Sequence, residues 1–144
     1  MSALTETTPS TQDYQRLLSF RTGLRRFLRW SEERAGEAGL TPSQHQLMLA
    51  IRGHDDPRGP TMGDSADYLL LKHHSAVELV DRAEAAGLVR RIQDVGDHRV
   101  VRLALTRSGE HILEKLGALT VAELSRLAPR MREMWAGLEL AGSA

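Results

Sequence analysis

Residues 89–95 and 100–105 alternate in period two around a Gly96-Asp97-His98 turn, in a chain whose other apolar residues recur every three or four positions. A single hairpin among helices leaves few folds open, because an isolated two-stranded ribbon is marginal in water and must lie against a helical core. Val101, Leu103 and Leu105 alternate with Arg102 and Ala104, so one face of the hairpin is expected to be buried. The turn also carries Asp97 and Arg99, more charge than turn chemistry needs, which points to a partner beyond the protein surface.

The helical stretches fix where that hairpin falls. Leu17, Phe20, Leu24, Phe27, Leu28, Ser31 and Ala35 mark one long amphipathic helix over 11–38. Thr41, Pro42 and Gln44 stand at the N-cap, first-turn and capping-box places of a second helix with Leu47, Ala50 and Ile51 on its inner face, closed by the Gly- and Pro-rich stretch 53–60. Thr61 is placed to cap a third helix with Asp64 in its first turn. Two or three residues later a fourth begins, with Ala76, Val77, Leu79, Val80 and Ala83 inward and Gly87 set to stop it in a left-handed conformation. Two short helices across a tight turn read as a helix-turn-helix, and three helices followed by a hairpin make a winged helix.

After Thr106, a stripe of Ile112, Leu113, Leu116, Leu119, Leu124 and Leu127 gives another long helix. Pro129 is expected to break it, leaving Met131, Met134, Trp135 and Leu138 as a last helical face. The expected fold is mainly α with a small β-hairpin wing: a winged helix-turn-helix with long N- and C-terminal helices. Residues 1–10 are expected to form a disordered lead and 11–144 a single domain, with 41–106 as the winged-helix lobe and 11–38 and 107–144 as the terminal helices.

Composition removes several function classes. The 144 residues, 41% hydrophobic and 26% charged, suit one globular domain with a real core. No apolar run reaches about 18 residues and the N-terminus has neither a basic start nor an apolar signal core, so no membrane partner and a cytoplasmic location are expected. Cysteine is absent, which excludes disulfides, thiolate nucleophiles and Cys-based zinc sites. With no nucleophile–base pair, phosphate loop or metal-ligand spacing either, neither an enzyme nor a metal or cofactor is expected. Nineteen basic and nineteen acidic residues cancel, so attraction to nucleic acid must be local. Lys72 and Lys115 are the lysines; the other basic side chains are arginines, whose planar forks suit phosphate and guanine.

Asp97-x-Arg99, then Leu103-x-Leu105-Thr106-x-x-Gly109, preceded by the run LVDRAEAAGLVRR over 79–91, resembles the wing signature and recognition-helix ending of the MarR family of bacterial transcription regulators. The resemblance covers roughly 40–109. It implies a homodimeric winged-helix protein that binds inverted-repeat double-stranded DNA, acting as a repressor that a small-molecule effector releases. Ser65-Ala66 stands where the family usually has Leu-Ala, Lys72 where a Ser or Thr commonly caps the recognition helix, and Ala83 where a larger apolar residue is often found.

Candidate residues follow from both readings. Lys72, His73, His74 and Ser75 project from the first turn of the fourth helix, where helix-turn-helix proteins meet base edges and phosphates, with Glu78 and Arg82 further along the outward side. Arg90 and Arg91 lie on the first wing strand, and Arg99 at the tip can enter a narrow minor groove with Asp97 orienting its guanidinium. Leu17, Leu24, Leu119, Leu127, Met131, Met134, Trp135 and Leu138 are the candidates for a two-fold dimer interface. Trp30, His45 and Met48 are the candidates for an effector pocket. A neutral chain also suits a winged-helix protein-interaction module without sequence-specific DNA binding, although such a module needs no arginine at its wing tip.

Overall fold

A computed structural model of the chain describes residues 8–142; most of the lead expected at 1–10 lies outside them. The elements run α1 (Thr11–Glu37), α2 (Pro42–Gly53), α3 (Met62–Leu69), α4 (His73–Ala85), β1 (Val89–Gln93), β2 (Val101–Leu105) and α5 (Arg107–Gly142). This is the mainly helical winged helix-turn-helix with long terminal helices that the periodicity indicates. Two compact units are present, Ser31–Leu119 and the pair of segments Met1–Trp30 and Thr120–Ala144.

Short-range chemistry sets the helix starts. Thr41 accepts from the Gln44 amide while the Gln44 side chain accepts from the Thr41 amide, and Thr61 and Asp64 repeat the exchange at α3. Ser10 and Asp13 form a third such box at the start of α1. Each box satisfies two amides that a helix end leaves without partners. At the other end of α4, Gly87 takes φ +75°, the left-handed stop its position suggests.

The core of the Ser31–Leu119 unit joins Ala35, Leu47, Met48, Ile51, Leu79, Val80, Ala83, Leu88, Val89, Leu103, Leu113 and Leu116. Met48 takes the inner place expected for Ala50, which is only half-buried. Ser65 is fully buried, and its hydroxyl donates to the Thr61 carbonyl at 3.0 Å, so the polar group in place of a leucine is satisfied within its own helix.

The last strand leads into α5 through a tight contact. Thr106 Oγ1 donates to the Gly87 carbonyl at 2.6 Å and accepts from the Gly109 amide at 3.0 Å, capping α5. A Cβ on Gly109 would overlap the Leu88 carbonyl, so this residue lets α5 close on the end of α4. The Thr-x-x-Gly spacing is thus the chemistry of one junction.

Three expectations need correction. The hairpin strands are shorter than 89–95 and 100–105: Val95 lies in the loop, 95% exposed, because the Asp94 carboxylate accepts from the Gly96 and Asp97 amides and turns the chain early. On the face expected to be buried, Leu103 is buried and Leu105 packs against the core but Val101 is exposed, while Arg102 is largely buried on the other side. Finally, α5 runs through Pro129 without a break. An internal proline costs about 3 kcal/mol, yet the apolar stripe of Leu124, Leu127, Met131 and Met134 keeps its helical spacing across it.

Candidate nucleic-acid interface

The turn between α3 and α4 presents the candidate recognition helix. Leu70 adopts φ 55°, ψ 40°, and the Leu71 amide donates back to the Ala66 carbonyl at 2.9 Å, the hydrogen bonding of a left-handed helix stop. Lys72 is then the N-cap of α4 and supplies no side-chain hydrogen bond. The first amides of α4 therefore lack a side-chain acceptor, and the helix dipole adds positive potential beside the Lys72 ammonium. Lys72, His73 and His74 are exposed and Ser75 half-buried; Glu78 and Arg82 are exposed further along.

The wing tip is built from one carboxylate and one guanidinium. Asp97 Oδ1 accepts from the Arg99 amide at 3.0 Å and from Nε at 3.1 Å, and Oδ2 accepts from Nη2 at 3.2 Å. These donors hold the Asp97 carboxyl below the usual carboxylate range. The Arg99 side chain is nevertheless 91% exposed, so its outer edge remains open to a ligand.

The other wing arginines divide into two kinds. Arg90 is exposed, and no ion pair or hydrogen bond holds its side chain among the described residues. Arg91 points the opposite way, as strand alternation requires, and binds Asp81 at 2.6 Å and Glu84 at 2.7 Å on α4. Its charge is engaged in fastening β1 to α4.

Sequence reasoning missed Asp94 and the position of Arg102. Arg102 Nε donates to Asp94 Oδ1 at 2.7 Å, and Nη1 donates to the Gly59 carbonyl at 2.8 Å. Arg102 also pairs with Thr61 as an isolated β-bridge, and the Leu103 amide donates to the Pro60 carbonyl at 2.8 Å. The only local signal is an arginine at an alternating strand position; its partners stand 8 and 43 residues away.

Elsewhere, Leu17, Leu24 and Trp135 are about half exposed, and Leu127, Met131, Met134 and Leu138 are partly buried. Leu119, in the Ser31–Leu119 unit, is also half exposed. In the terminal-helix unit Phe20 meets Trp135 edge-on at 5.6 Å and Phe27 stacks on Trp30 at 6.2 Å. Phe20, Phe27 and Trp30 line a groove of about 1100 Å³ there, with Leu124, Leu127 and Met131. Met48 is wholly inside the winged-helix core, whereas His45 is half-buried, and its burial lowers the imidazole pKa. No cluster able to hold a metal occurs among the described residues, and no described helix is long and apolar enough to cross a membrane.

The sequence pattern of the MarR family matches residues 38–100. Over 84 residues the chain is 34% identical to the transcriptional activatory protein BadR of Rhodopseudomonas palustris, covering 58% of this chain and 48% of that protein. The chain spans about half or less of the length of the curated relatives it matches. Among solved structures, AbsC, a MarR family transcriptional regulator from Streptomyces coelicolor, has a TM-score of 0.73 at 20% identity, over 94% of this chain and 92% of its own. A Staphylococcus aureus MepR mutant bound to an oligodeoxyribonucleotide has a TM-score of 0.63 at 20% identity, over 94% and 98%. At such identities these likenesses carry the fold. Residues 38–100 are thus similar to the MarR family, and the chain shares with AbsC the winged helix with long terminal helices.

Proposed function

We propose that the chain is a homodimeric, cytoplasmic DNA-binding transcription regulator that sets α4 in the major groove of an inverted repeat and Arg99 in the adjoining minor groove. The carrying observation is the wing tip, where Asp97 fixes the Arg99 guanidinium while leaving it 91% exposed. The open N-terminus of α4 beside Lys72 suits phosphate, and His73 and His74 suit base edges or phosphate oxygens. Large half-exposed apolar side chains on the terminal helices support a second copy as partner, because monomers rarely leave so many in water. Repression by occupying promoter DNA is the inferred output. The Rhodopseudomonas relative is named an activatory protein, so a reporter must be read for both signs.

An effector is part of the same reading. The groove of the terminal-helix unit is lined by Phe20, Phe27 and Trp30 together with Leu24, Leu127, Met131 and Met134 of the proposed dimer face, so a small molecule bound there would act at the contact between copies, and one favouring a conformer that fits DNA poorly would release the operator. The test is selection of duplexes from a random-sequence pool by purified protein, with sedimentation of the complex. Enrichment of an inverted repeat bound by two chains supports the regulator. A folded protein that enriches no sequence at low salt would overturn it in favour of an interaction module.

A further inference from the structure

The Asp94–Arg102 pair has no place in the contacts just described, yet it is the most buried ion pair of the winged-helix unit, with side chains 9% and 13% exposed. Such a pair is a poor way to gain stability, since removing two charges from water offsets much of their attraction. Its connections say more. On one side Arg102 Nη1 reaches the Gly59 carbonyl, in the connection that leads into α3. On the other, Asp94 Oδ2 accepts from the amides of Gly96 and Asp97 at 3.1 and 3.0 Å, within the wing loop. Asp97 in turn holds Arg99. An unbroken series of hydrogen bonds therefore runs from the helix-turn-helix entry to the wing tip. Asp56, the other carboxylate near Arg102 at 3.9 Å, is already bound by Arg58 at 2.8 Å and makes a poor substitute.

We propose that Asp94 and Arg102 are positioning residues: together they fix the wing loop against the α2–α3 connection, so that Arg99 meets the minor groove without first having to order a mobile loop. This rests on the reading that the wing binds DNA. Preorganisation of this kind raises affinity by removing an ordering cost at the moment of binding.

The charge of Asp94 makes the test sharp. If electrostatics alone mattered, Asp94→Asn would remove a negative charge near DNA and tighten binding. Positioning requires the opposite. Affinity for a duplex selected by the unaltered protein is expected to fall about five-fold or more in Asp94→Asn, and to change little on adding the same substitution to Arg99→Ala, the mark of two residues acting through one contact. Amide exchange at Gly96 and Asp97 should quicken. Arg102→Lys, which keeps the charge and cannot reach both partners, should give the same coupling and provides a second variant should Asp94→Asn fold poorly. Tighter binding by Asp94→Asn, or an equal loss with and without Arg99, would overturn the positioning role while leaving DNA binding intact. An Arg99→Ala variant with undiminished affinity would overturn the wing contact and the positioning role with it.

Discussion

Arg99 and Asp97 meet at the wing tip through two guanidinium hydrogen bonds, Nε to Oδ1 at 3.1 Å and Nη2 to Oδ2 at 3.2 Å. An exposed pair of this kind contributes little to folding, so its removal should be felt in binding. Arg99→Ala is expected to weaken affinity for the selected duplex by on the order of 1–3 kcal/mol with an unchanged melting temperature. Fluorescence anisotropy and thermal denaturation on the same samples check both halves. Equal affinity in a folded variant would remove the wing from the interface.

Lys72 differs in kind because its charge lies beside an open helix end rather than against a carboxylate. Lys72→Gln should weaken binding to selected and scrambled duplexes alike, and lower the slope of log affinity against log salt by about one unit. A slope equal to that of the parent would show that Lys72 meets no phosphate.

Gly109 lies in α5 where a Cβ would overlap the Leu88 carbonyl. Replacing a helical glycine with alanine ordinarily stabilises by up to about 1 kcal/mol. Here overpacking against backbone should reverse the sign, and Gly109→Ala is expected to destabilise by about 1–3 kcal/mol. Urea denaturation decides: a raised midpoint would mean that the α4–α5 junction is looser than described.

The division between legible and illegible features follows from the range of the interactions. Thr41, Thr61 and Gly87 could be assigned from neighbours three or four residues away, because capping is local, and the helix faces followed from periodicity. Asp97 and Arg99 were legible for the same reason, being two residues apart. Asp94 was not: its role depends on Arg102 across the hairpin and, through Arg102, on Gly59. Arg90 and Arg91 are equivalent in sequence, and only the packing of β1 on α4 decides which one meets Asp81 and Glu84. Pro129 misled because a proline disfavours a helix interior without forbidding it, and α5 runs through it.

Leu70 takes a left-handed conformation and is 92% exposed, so it bears a steric cost with almost no burial in return. Leu70→Gly should raise stability by about 1 kcal/mol. A lowered melting temperature would indicate that the leucine packs against something in the folded protein.

Burial lowers the pKa of His45, so the folded protein favours the neutral imidazole. The unfolded chain then binds the proton more readily, and stability rises with pH. The contribution is fully present above about pH 6.5 and is lost as pH falls from there through the lowered folded value. His45→Gln should flatten the melting temperature over this window. An unchanged pH profile would show that His45 titrates alike in both states.

The most direct test of DNA recognition by the α4 and wing surface is a salt titration of binding, comparing the selected inverted repeat with a scrambled duplex of equal length. The expected result is a linear fall of log affinity with log salt on both, and a specific-to-scrambled ratio of about a thousand or more at physiological salt. Equal affinity for the two duplexes at every salt concentration, from a folded protein, would contradict it.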